Sequence, residues 1–256
     1  MPSAAPPSTV SFNNLVLAQT DTVLAQLPMV TGEAGWAVVG QQVAHTGNGG
    51  RTWQALGPRI PTGAFTLLVG LDAHNAGIIV ETGSVAPFTA QYEWTTNGGH
   101  TWHSVRIPSS RNEPPMAIQR LTPQVGWILT DLAPAMTIES AVILHTTDGG
   151  THWTPLRSSG FPAHPVWRSE PKGLTAEFEK SGVTFRSPNV GWVTGGIYAP
   201  HEVLFERTTN GGQTWRPTTT VFNAGSGTSS WSFVGAQDGW VLADYHLYRT
   251  TDGRSS

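Results

Sequence analysis

One short phrase, repeated along the chain, constrains the fold more than any other feature. Each copy starts with Thr, has Asn or Asp at its third position followed by two glycines, and ends on Trp; the copies span residues 46–53, 95–102, 146–153 and 208–215. An Asn-Gly or Asp-Gly pair between alternating residues is the strongest short signal for a β-hairpin, because the turn needs residues that tolerate positive φ. We call these four segments the repeat hairpins. A fifth copy begins at Thr250.

A second phrase, Gly-Trp after a turn, precedes the hairpins at Gly35-Trp36, Gly126-Trp127, Gly191-Trp192 and Gly239-Trp240, and Gly77-Ile78 is a degenerate version. A period of roughly 50 residues indicates an array or a propeller, because one such unit cannot bury its own core. The alternation in each unit predicts four antiparallel strands, called A to D in chain order, with the repeat hairpin between C and D. Such sheets, repeated radially, form a β-propeller. The sequence therefore predicts an all-β, five-bladed β-propeller of four-stranded antiparallel blades.

The two ends of the chain predict how the ring closes. The last unit has strands A, B and C only, whereas the stretch Val10-Ser-Phe12 alternates where a lone strand D belongs. We predict that residues 10–17 pair with residues 246–250, so that an N-terminal strand completes the last blade and removes exposed sheet edges. The alternative is truncation of a longer propeller. The expected domains are a linker or disordered N-terminus over residues 1–9 and a single propeller over 10–256.

The two phrases together resemble a known family. The repeat hairpin resembles the Asp-box, or bacterial neuraminidase repeat, and its combination with Gly-Trp resembles propellers related to the photosystem II stability/assembly factor and sialidase-like propellers. The resemblance runs from about residue 10 to residue 253. It implies a structural role, in the turn and in packing, for the residues Asn48, Trp53, Asn97, Trp102, Asp148, Trp153, Asn210 and Trp215.

Composition excludes several classes of function. Charged residues are 12% of the chain, the net charge is −3, and Lys172 and Lys180 are the only lysines, so no nucleic-acid groove is expected. No apolar run approaches the ~20 residues that span a bilayer, and no spacing of His, Cys or acidic residues indicates a metal or cofactor site. Residues 1–9 are like the Pro/Ser/Ala linker that follows a removed signal or lipid anchor. We therefore expect an exported monomer, located outside the cell, in the periplasm or at the cell surface.

The sequence gives little evidence for catalytic residues. Arg59-Ile-Pro61 and Arg106-Ile-Pro108 look like the arginine phrase of sialidases. Both, however, follow a hairpin Trp at near-equivalent positions, which indicates that the phrase is part of the structural repeat and not of a site. The slot just before each hairpin carries flat or cationic groups, which predicts stacking on a Trp of the same blade; its residues are His45, Trp94, His145, Arg207 and Arg249. Glu177 and Glu179 with Asp131 could form an acid pair. The catalytic residues stay unknown.

Loop lengths predict the binding face. The A–B turns and the C–D hairpins are short, whereas the B–C loops and the D–A connections vary, and those two sets emerge on one face of a propeller. The longest connection runs over residues 157–181. The candidate ligand-binding residues are Arg120, Trp167, Arg168, Tyr198, His201 and Glu202. For Arg120, either the guanidinium faces the central channel or a shift of the strand turns Leu121 inward.

The leading interpretation is an exported, non-catalytic β-propeller that serves as a binding or assembly platform for protein or glycan. The alternative is a glycoside hydrolase, sialidase-like, that uses carboxylates on the loop face. A third interpretation is a structural module of a larger cell-surface protein. Fold alone does not decide between them, because propellers host many chemistries.

Overall fold

Five antiparallel β-sheets follow one another along the chain. The computed structural model describes residues 24–83, 89–108, 114–135, 138–156, 173–175, 178–197, 202–217, 222–223, 230–235, 237–243 and 246–251. Within these ranges all regular structure is β-strand and there is no helix. The all-β prediction and the prediction of four-stranded antiparallel sheets are confirmed for this part of the chain.

Strands follow sequence order inside each sheet, with one exception in the fourth. The first three sheets consist of β1 Leu24–Gln26, β2 Gly35–Val39, β3 Gln42–Thr46 and β4 Gln54–Arg59; β5 Phe65–Gly70, β6 Ala76–Thr82, β7 Thr89–Thr95 and β8 His103–Arg106; and β9 Pro115–Arg120, β10 Gly126–Ala135, β11 Ile138–Thr146 and β12 Thr154–Pro155. The last two consist of β13 Glu179–Phe185, β14 Gly191–Ile197, β15 Glu202–Thr208, β16 Arg216–Pro217 and β17 Phe222–Asn223; and β18 Ser230–Phe233, β19 Gly239–Ala243 and β20 His246–Thr250. The exception is β17, which pairs with β15.

The repeat hairpins share one hydrogen-bond pattern. In the first, both glycines of the turn have positive φ, 69° at Gly49 and 81° at Gly50, which favours residues without a Cβ. The Thr46 hydroxyl accepts from the Gly50 amide at 3.0 Å, and Oδ1 of Asn48 accepts from the Thr52 amide at 2.9 Å. The other three hairpins repeat these bonds. The Thr and the Asn or Asp thus close the turn on its own backbone.

Each repeat hairpin is also tied to the A–B turn of its own sheet. The amide of the first turn glycine donates to a carbonyl of that turn, from Gly49 to Glu33 at 2.7 Å and from Gly98 to His74 at 2.9 Å, with equivalent bonds in the third and fourth sheets. The A–B turns and the repeat hairpins therefore lie at one end of the sheets, which we call the hairpin face. The B–C loops and the D–A connections lie at the opposite end, which we call the loop face.

The first strands of neighbouring sheets contact one another, as β5 does with β9 and β9 with β13. The fourth strands, by contrast, are largely exposed. The sheets therefore have a hub of first strands and a rim of fourth strands. Four apolar clusters fill the junctions between successive sheets, from the first to the fifth.

The junctions are built on one repeated contact. In each sheet one residue, at the end of the first strand or, for Met29, just after it, pairs with the first residue of the second strand, and we call it the turn-pair residue. Phe185 is the turn-pair residue opposite Gly191, and it stacks on Trp127 of the preceding sheet with ring centroids 3.7 Å apart. Phe233 opposite Gly239 stacks on Trp192 at 4.2 Å.

The second sheet departs from the predicted alignment. Its register pairs Ala76 with Thr95, as Gly35 pairs with Thr46, so Ala76-Gly77 and not Gly77-Ile78 takes the Gly-Trp position. A Cβ added at Gly77 would overlap the Tyr92 ring. Tyr92, from the third strand, therefore fills the space that Trp fills in the other sheets, and a degenerate Gly-Trp at 77–78 was the wrong assignment.

The predicted stacking before each hairpin is confirmed. The ring of His45 lies 4.5 Å from that of Trp36, and His145 lies 5.1 Å from Trp127. Trp94 stacks on Tyr92 at 5.5 Å. The guanidinium carbons of Arg207 and Arg249 lie 5.7 and 5.4 Å from the ring centroids of Trp192 and Trp240. All five slot residues thus pack on the aromatic residue of their own sheet.

The hairpin tryptophans differ in burial. Trp153 and Trp215 are buried, whereas Trp53 and Trp102 are half-buried. Trp102 packs edge-on against Trp36 of the first sheet at 6.1 Å, and its Nε1 donates to the Leu56 carbonyl at 2.9 Å. A hairpin Trp therefore contributes to the junction with the preceding sheet. Residues 10–17, predicted to complete the last blade, lie outside the described residues.

Candidate functional site

The structure places Arg120 in the junction between the second and third sheets. It is the turn-pair residue opposite Gly126 and is 8% exposed. Its guanidinium donates to the Tyr92 hydroxyl and to the Pro123 carbonyl, and its carbon Cζ lies 5.9 Å from the Tyr92 ring centroid. Burial raises the pKa of Tyr92, and Arg120 opposes that rise. A ligand-binding role for Arg120 stays a prediction, but the contacts described here belong to packing between sheets.

The other candidate ligand residues receive no geometry from the structure. Trp167, Arg168, Tyr198 and His201 lie outside the described residues, and of Glu202 only the backbone is described, paired with Ile197 where β15 begins. The structure therefore brings none of them together. Their roles stay predictions.

The end of the longest D–A connection is fixed by two buried charges. Lys180 on β13 and Glu206 on β15 are both fully buried. The Glu206 carboxylate accepts from the Thr175 amide at 2.9 Å, while Nζ of Lys180 donates to the carbonyls of Thr175 and of Phe178, the latter at 2.7 Å. Nζ also lies 4.0 Å from the Phe178 ring centroid. One peptide segment before β13 is thus held from both sides, and buried charges with such partners are tolerated.

A cavity of about 480 Å³ lies among the hub strands of the first three sheets. Its wall is formed by residues 26–28, 67–68 and 116–118, nearly all of them apolar. The one polar side chain, Gln26, is already committed: its Nε2 donates to the Thr66 carbonyl at 2.5 Å, and its Oε1 accepts from the Leu68 amide. The described wall therefore offers apolar surface and no unengaged side-chain hydrogen-bonding group.

Glu81 is a buried carboxyl in the same region. It is 7% exposed, and its Oε2 has no hydrogen-bond partner among the described residues. Burial raises the pKa of this carboxyl. Glu81 pairs with Phe65 on one side and Ala90 on the other, and by strand alternation it shares a face with Ile79. That face belongs to the junction with the third sheet, because Ile79 and Ala90 are members of its apolar cluster.

The cavity and Glu81 are neighbours at the hub. Leu67 and Ile118 line the cavity and also pack against the apolar cluster that contains Ile79. Phe65, the partner of Glu81, stands two residues before Leu67 on β5, one step nearer the loop face, and it is 49% exposed. Along β5, the exposed Phe65 is followed by Leu67 of the cavity wall, and the buried Glu81 lies beside Phe65 on the neighbouring strand β6. We call this group the hub site.

Sequence reasoning did not single out the hub site. The signal for Glu81 is present, since it continues the inward alternation of Gly77 and Ile79 and breaks an otherwise apolar strand. A charged residue at a strand position that alternation places toward the interior is either solvated at the end of the strand or buried for a functional reason. Only the neighbouring sheet decides which of the two applies.

The described residues contain no group of three or more His, Cys, Asp or Glu side chains placed to hold a metal ion. In the same ranges no helix has the length and hydropathy that a bilayer-spanning helix needs. Glu179, which the sequence offered for an acid pair, is exposed, while Glu177 and the side chain of Asp131 fall outside the description.

The fold is similar to that of solved β-propellers. The GH74 xyloglucanase from Xanthomonas campestris aligns with a TM-score of 0.55 at 12% identity, over 90% of this chain and 37% of that one. The lectin from Aleuria aurantia in complex with Fucα1-6GlcNAc aligns with a TM-score of 0.52 at 12% identity, over 87% of this chain and 72% of that one. YCF48 bound to D1 peptide covers 98% of this chain and 86% of its own at 16% identity, but its TM-score of 0.44 supports no argument.

No protein-family model and no curated protein matches the chain. The chain spans little more than a third of the length of the xyloglucanase. At such identities, likeness shows the fold alone. The comparisons therefore establish an all-β chain of antiparallel sheets that resembles a β-propeller.

Proposed function

We propose that the chain is an exported, non-catalytic β-propeller, built on Asp-box repeats, that binds a protein or glycan partner on its loop face as a monomeric platform. The observation that carries the proposal is the hub site, an apolar cavity with an exposed Phe65 beside it. Concave apolar surface at the hub of a rigid scaffold is where such folds bind partners. In each repeat hairpin the Thr and the Asn or Asp side chains bond the turn itself, which supports a structural role for them.

The rival proposal is a glycoside hydrolase. The fold is compatible with it, since a xyloglucanase and a lectin share the architecture, and fold does not decide function. Hydrolysis with two carboxylates needs a pair roughly 5–10 Å apart across the scissile bond. At the hub site Glu81 is the one buried acid among the described residues, and its described neighbours, Phe65, Ile79 and Ala90, are apolar. That environment supports binding over hydrolysis.

We also propose that five sheets close into a ring, with residues 10–17 as the outer strand of the last sheet. The packing rule supports closure. Met29 is the turn-pair residue opposite Gly35, and Trp240 is the last sheet's aromatic residue; together they would form a fifth junction like the others. Met29 is 42% exposed and Leu247 is 70% exposed, so both have apolar surface left to bury. Continuation into further sheets of a longer chain is the competing proposal.

A ligand screen decides between platform and enzyme. The wild-type protein and a Met116→Trp variant, which fills the hub cavity, are tested on a glycan array, a peptide display library and a panel of glycosidase substrates. The platform proposal expects a bound partner that Met116→Trp weakens, with no turnover of any substrate. Repeated turnover of a glycosidase substrate by the wild-type protein would establish the hydrolase instead.

Closure has its own test. Deleting residues 1–18 should lower the unfolding temperature, because the edge of β20 and the apolar surface of Leu247 then lose their cover. An unchanged unfolding temperature after the deletion favours continuation into a longer propeller.

A further inference from the structure

The hub site combines two features that together specify a ligand class. The cavity wall is apolar, and its one amide, Gln26, is bonded at both ends to β5. Sugars need several hydrogen-bond partners and commonly an aromatic platform, and the described wall supplies neither. An aliphatic or aromatic side chain fits this wall without leaving polar groups unpaired.

The second feature is a buried carboxyl oxygen that has no hydrogen-bond partner among the described residues. Oε2 of Glu81 is buried and unpartnered, and no Lys or Arg side chain in the described ranges forms an ion pair with it. A native structure leaves few buried polar atoms without a partner, and each one calls for an explanation. An ionised carboxylate at this site would be stabilised by an opposite charge with hydrogen-bond donors.

The spacing of the two features follows from the strand. Leu67 lines the cavity, and Phe65, two residues nearer the loop face on β5, pairs with Glu81 of β6, so Glu81 is level with a point two residues from the cavity wall. Two residues of extended chain span about 6.6 Å, and residues i and i+2 point to the same side. An extended peptide that places an apolar side chain in the cavity therefore brings its i+2 side chain to the level of Glu81.

We propose that the hub site binds an extended segment of a partner protein that carries an apolar residue and, two positions away, a lysine or arginine whose cation pairs with Glu81. This inference rests on the proposed function, because it names the ligand of the same loop-face platform. Phe65 lies beside the path of that cation, where its ring face offers further attraction. Glu81 selects the charge, and the cavity supplies apolar burial.

The test is a selection from a display library of random seven-residue peptides on three immobilised proteins. These are the wild type, Glu81→Gln, which keeps the shape of the side chain and removes its charge, and Glu33→Gln, which removes an exposed acid on the hairpin face. We expect the wild type and Glu33→Gln to enrich a basic residue two positions from an apolar one. Glu81→Gln is expected to enrich the apolar residue without the basic one.

A titration makes the selection quantitative. The most enriched peptide is compared with a copy in which the basic residue is replaced by citrulline, an uncharged isostere of arginine. Wild type should bind the charged peptide about tenfold more tightly, and Glu81→Gln should bind both equally, because one charge-assisted contact is lost. Cooperative thermal unfolding of Glu81→Gln, at or above the wild-type temperature, shows that the variant is folded and that the unpaired carboxyl was not stabilising.

The outcomes separate this inference from the function on which it rests. Enrichment of apolar residues alone by the wild type, unaffected by Glu81→Gln and abolished when the same selection is run on Met116→Trp, overturns the role of Glu81 and leaves the platform in place. A glycan that binds the wild type and no longer binds Met116→Trp overturns the peptide inference and leaves the platform in place. Failure of every protein to enrich any peptide, with no glycan bound on the array, overturns both. A basic preference that persists in Glu81→Gln assigns the charge recognition to another residue and overturns the inference.

Discussion

The junction between the third and fourth sheets and the junction between the second and third sheets meet the same packing demand with opposite chemistry. In the former, Phe185 lies flat on Trp127 at 3.7 Å with an interplanar angle of 0°. In the latter, Arg120 bonds the hydroxyl of Tyr92, and Gly77 leaves room for that ring. The comparison teaches that each junction needs a bulky side chain at the turn-pair position, and that this side chain can be apolar or polar.

The polar solution has a cost that the apolar one avoids. Arg120 and Tyr92 satisfy each other while buried, so removing either one leaves a polar group without its partner. The apolar stack carries no such dependence, although Nε1 of Trp127 finds no hydrogen-bond partner within the described residues. The two junctions are therefore expected to fail in different ways.

The largest effect is expected at the apolar junction. Trp127→Ala removes a fully buried indole and its stack on Phe185, and should lower the free energy of unfolding by about 3–5 kcal/mol. Trp240→Ala is the matched control, because Trp240 has the same repeat position in the last sheet but is only half-buried. Urea unfolding of both variants measures the difference. A loss below about 1 kcal/mol in Trp127→Ala would contradict the packing rule, whereas an equal loss in Trp240→Ala would indicate that Trp240 is buried in a closed fifth junction.

The polar junction should yield a smaller, coupled effect. Arg120→Phe supplies a ring like that of Phe185 but leaves the Tyr92 hydroxyl buried without a donor, at a cost of about 1–3 kcal/mol. Adding Tyr92→Phe removes that hydroxyl, and the double variant should regain a large part of the loss. Additive losses in this double-mutant cycle would mean that Arg120 and Tyr92 do not depend on each other.

The slot before each hairpin holds a histidine in the first and third sheets only, and these two histidines, His45 and His145, make the free energy of unfolding depend on pH. Burial lowers the pKa of His45, with smaller contributions from His74 and His100, and burial also lowers the pKa of His145. Below pH 6.5 the unfolded chain takes up these protons more readily than the folded protein. The free energy of unfolding should therefore fall as the pH drops from 6.5 through the folded pKa values.

His145→Arg tests the pH prediction by giving the third sheet the residue type that occupies the slot in the fourth and fifth sheets. The variant should show a weaker loss of stability between pH 7.5 and pH 5 in urea unfolding. His103→Gln, at an exposed site on β8, is the control for a general loss of histidine. A pH profile unchanged by His145→Arg would remove the slot from the explanation.

Sequence alone predicted what the repeats encode locally and missed what depends on a neighbouring sheet. The hairpins, the four-stranded sheets and the slot stacks follow from residue types at fixed spacing. The Gly-Trp position of the second sheet was assigned one residue too late, to Gly77-Ile78. The aromatic residue that fills this space is Tyr92 of the third strand, whose ring packs over Gly77, and sequence spacing does not show that contact. Glu81 was missed for the same reason: its burial is set by the adjoining third sheet.

The smallest effect is expected at the third repeat hairpin, which alone carries Asp where the others carry Asn. Oδ2 of Asp148 lies 2.6 Å from Nδ1 of His152, and Oδ1 accepts from the His152 amide at 3.0 Å. The amide of His152, then its side chain, lowers the pKa of Asp148 to about 2. In the other hairpins the Asn amide instead donates to a Thr hydroxyl four residues on, as Asn48 does to Thr52 at 2.8 Å.

Asp148→Asn keeps the Oδ1 acceptor that closes the turn and loses the contact between the carboxylate Oδ2 and Nδ1 of His152. Both side chains are substantially exposed, so solvent screening limits the loss in the free energy of unfolding to less than about 1 kcal/mol. Adding His152→Thr recreates the Asn–Thr pair of the other hairpins and should recover that loss. Because the folded pKa is depressed, the carboxylate stabilises above pH 3.8, and its advantage over Asn should vanish as the pH falls through about 2. A loss well above 1 kcal/mol at pH 7, or one that the double variant does not recover, would show that the third hairpin is not interchangeable with the other three.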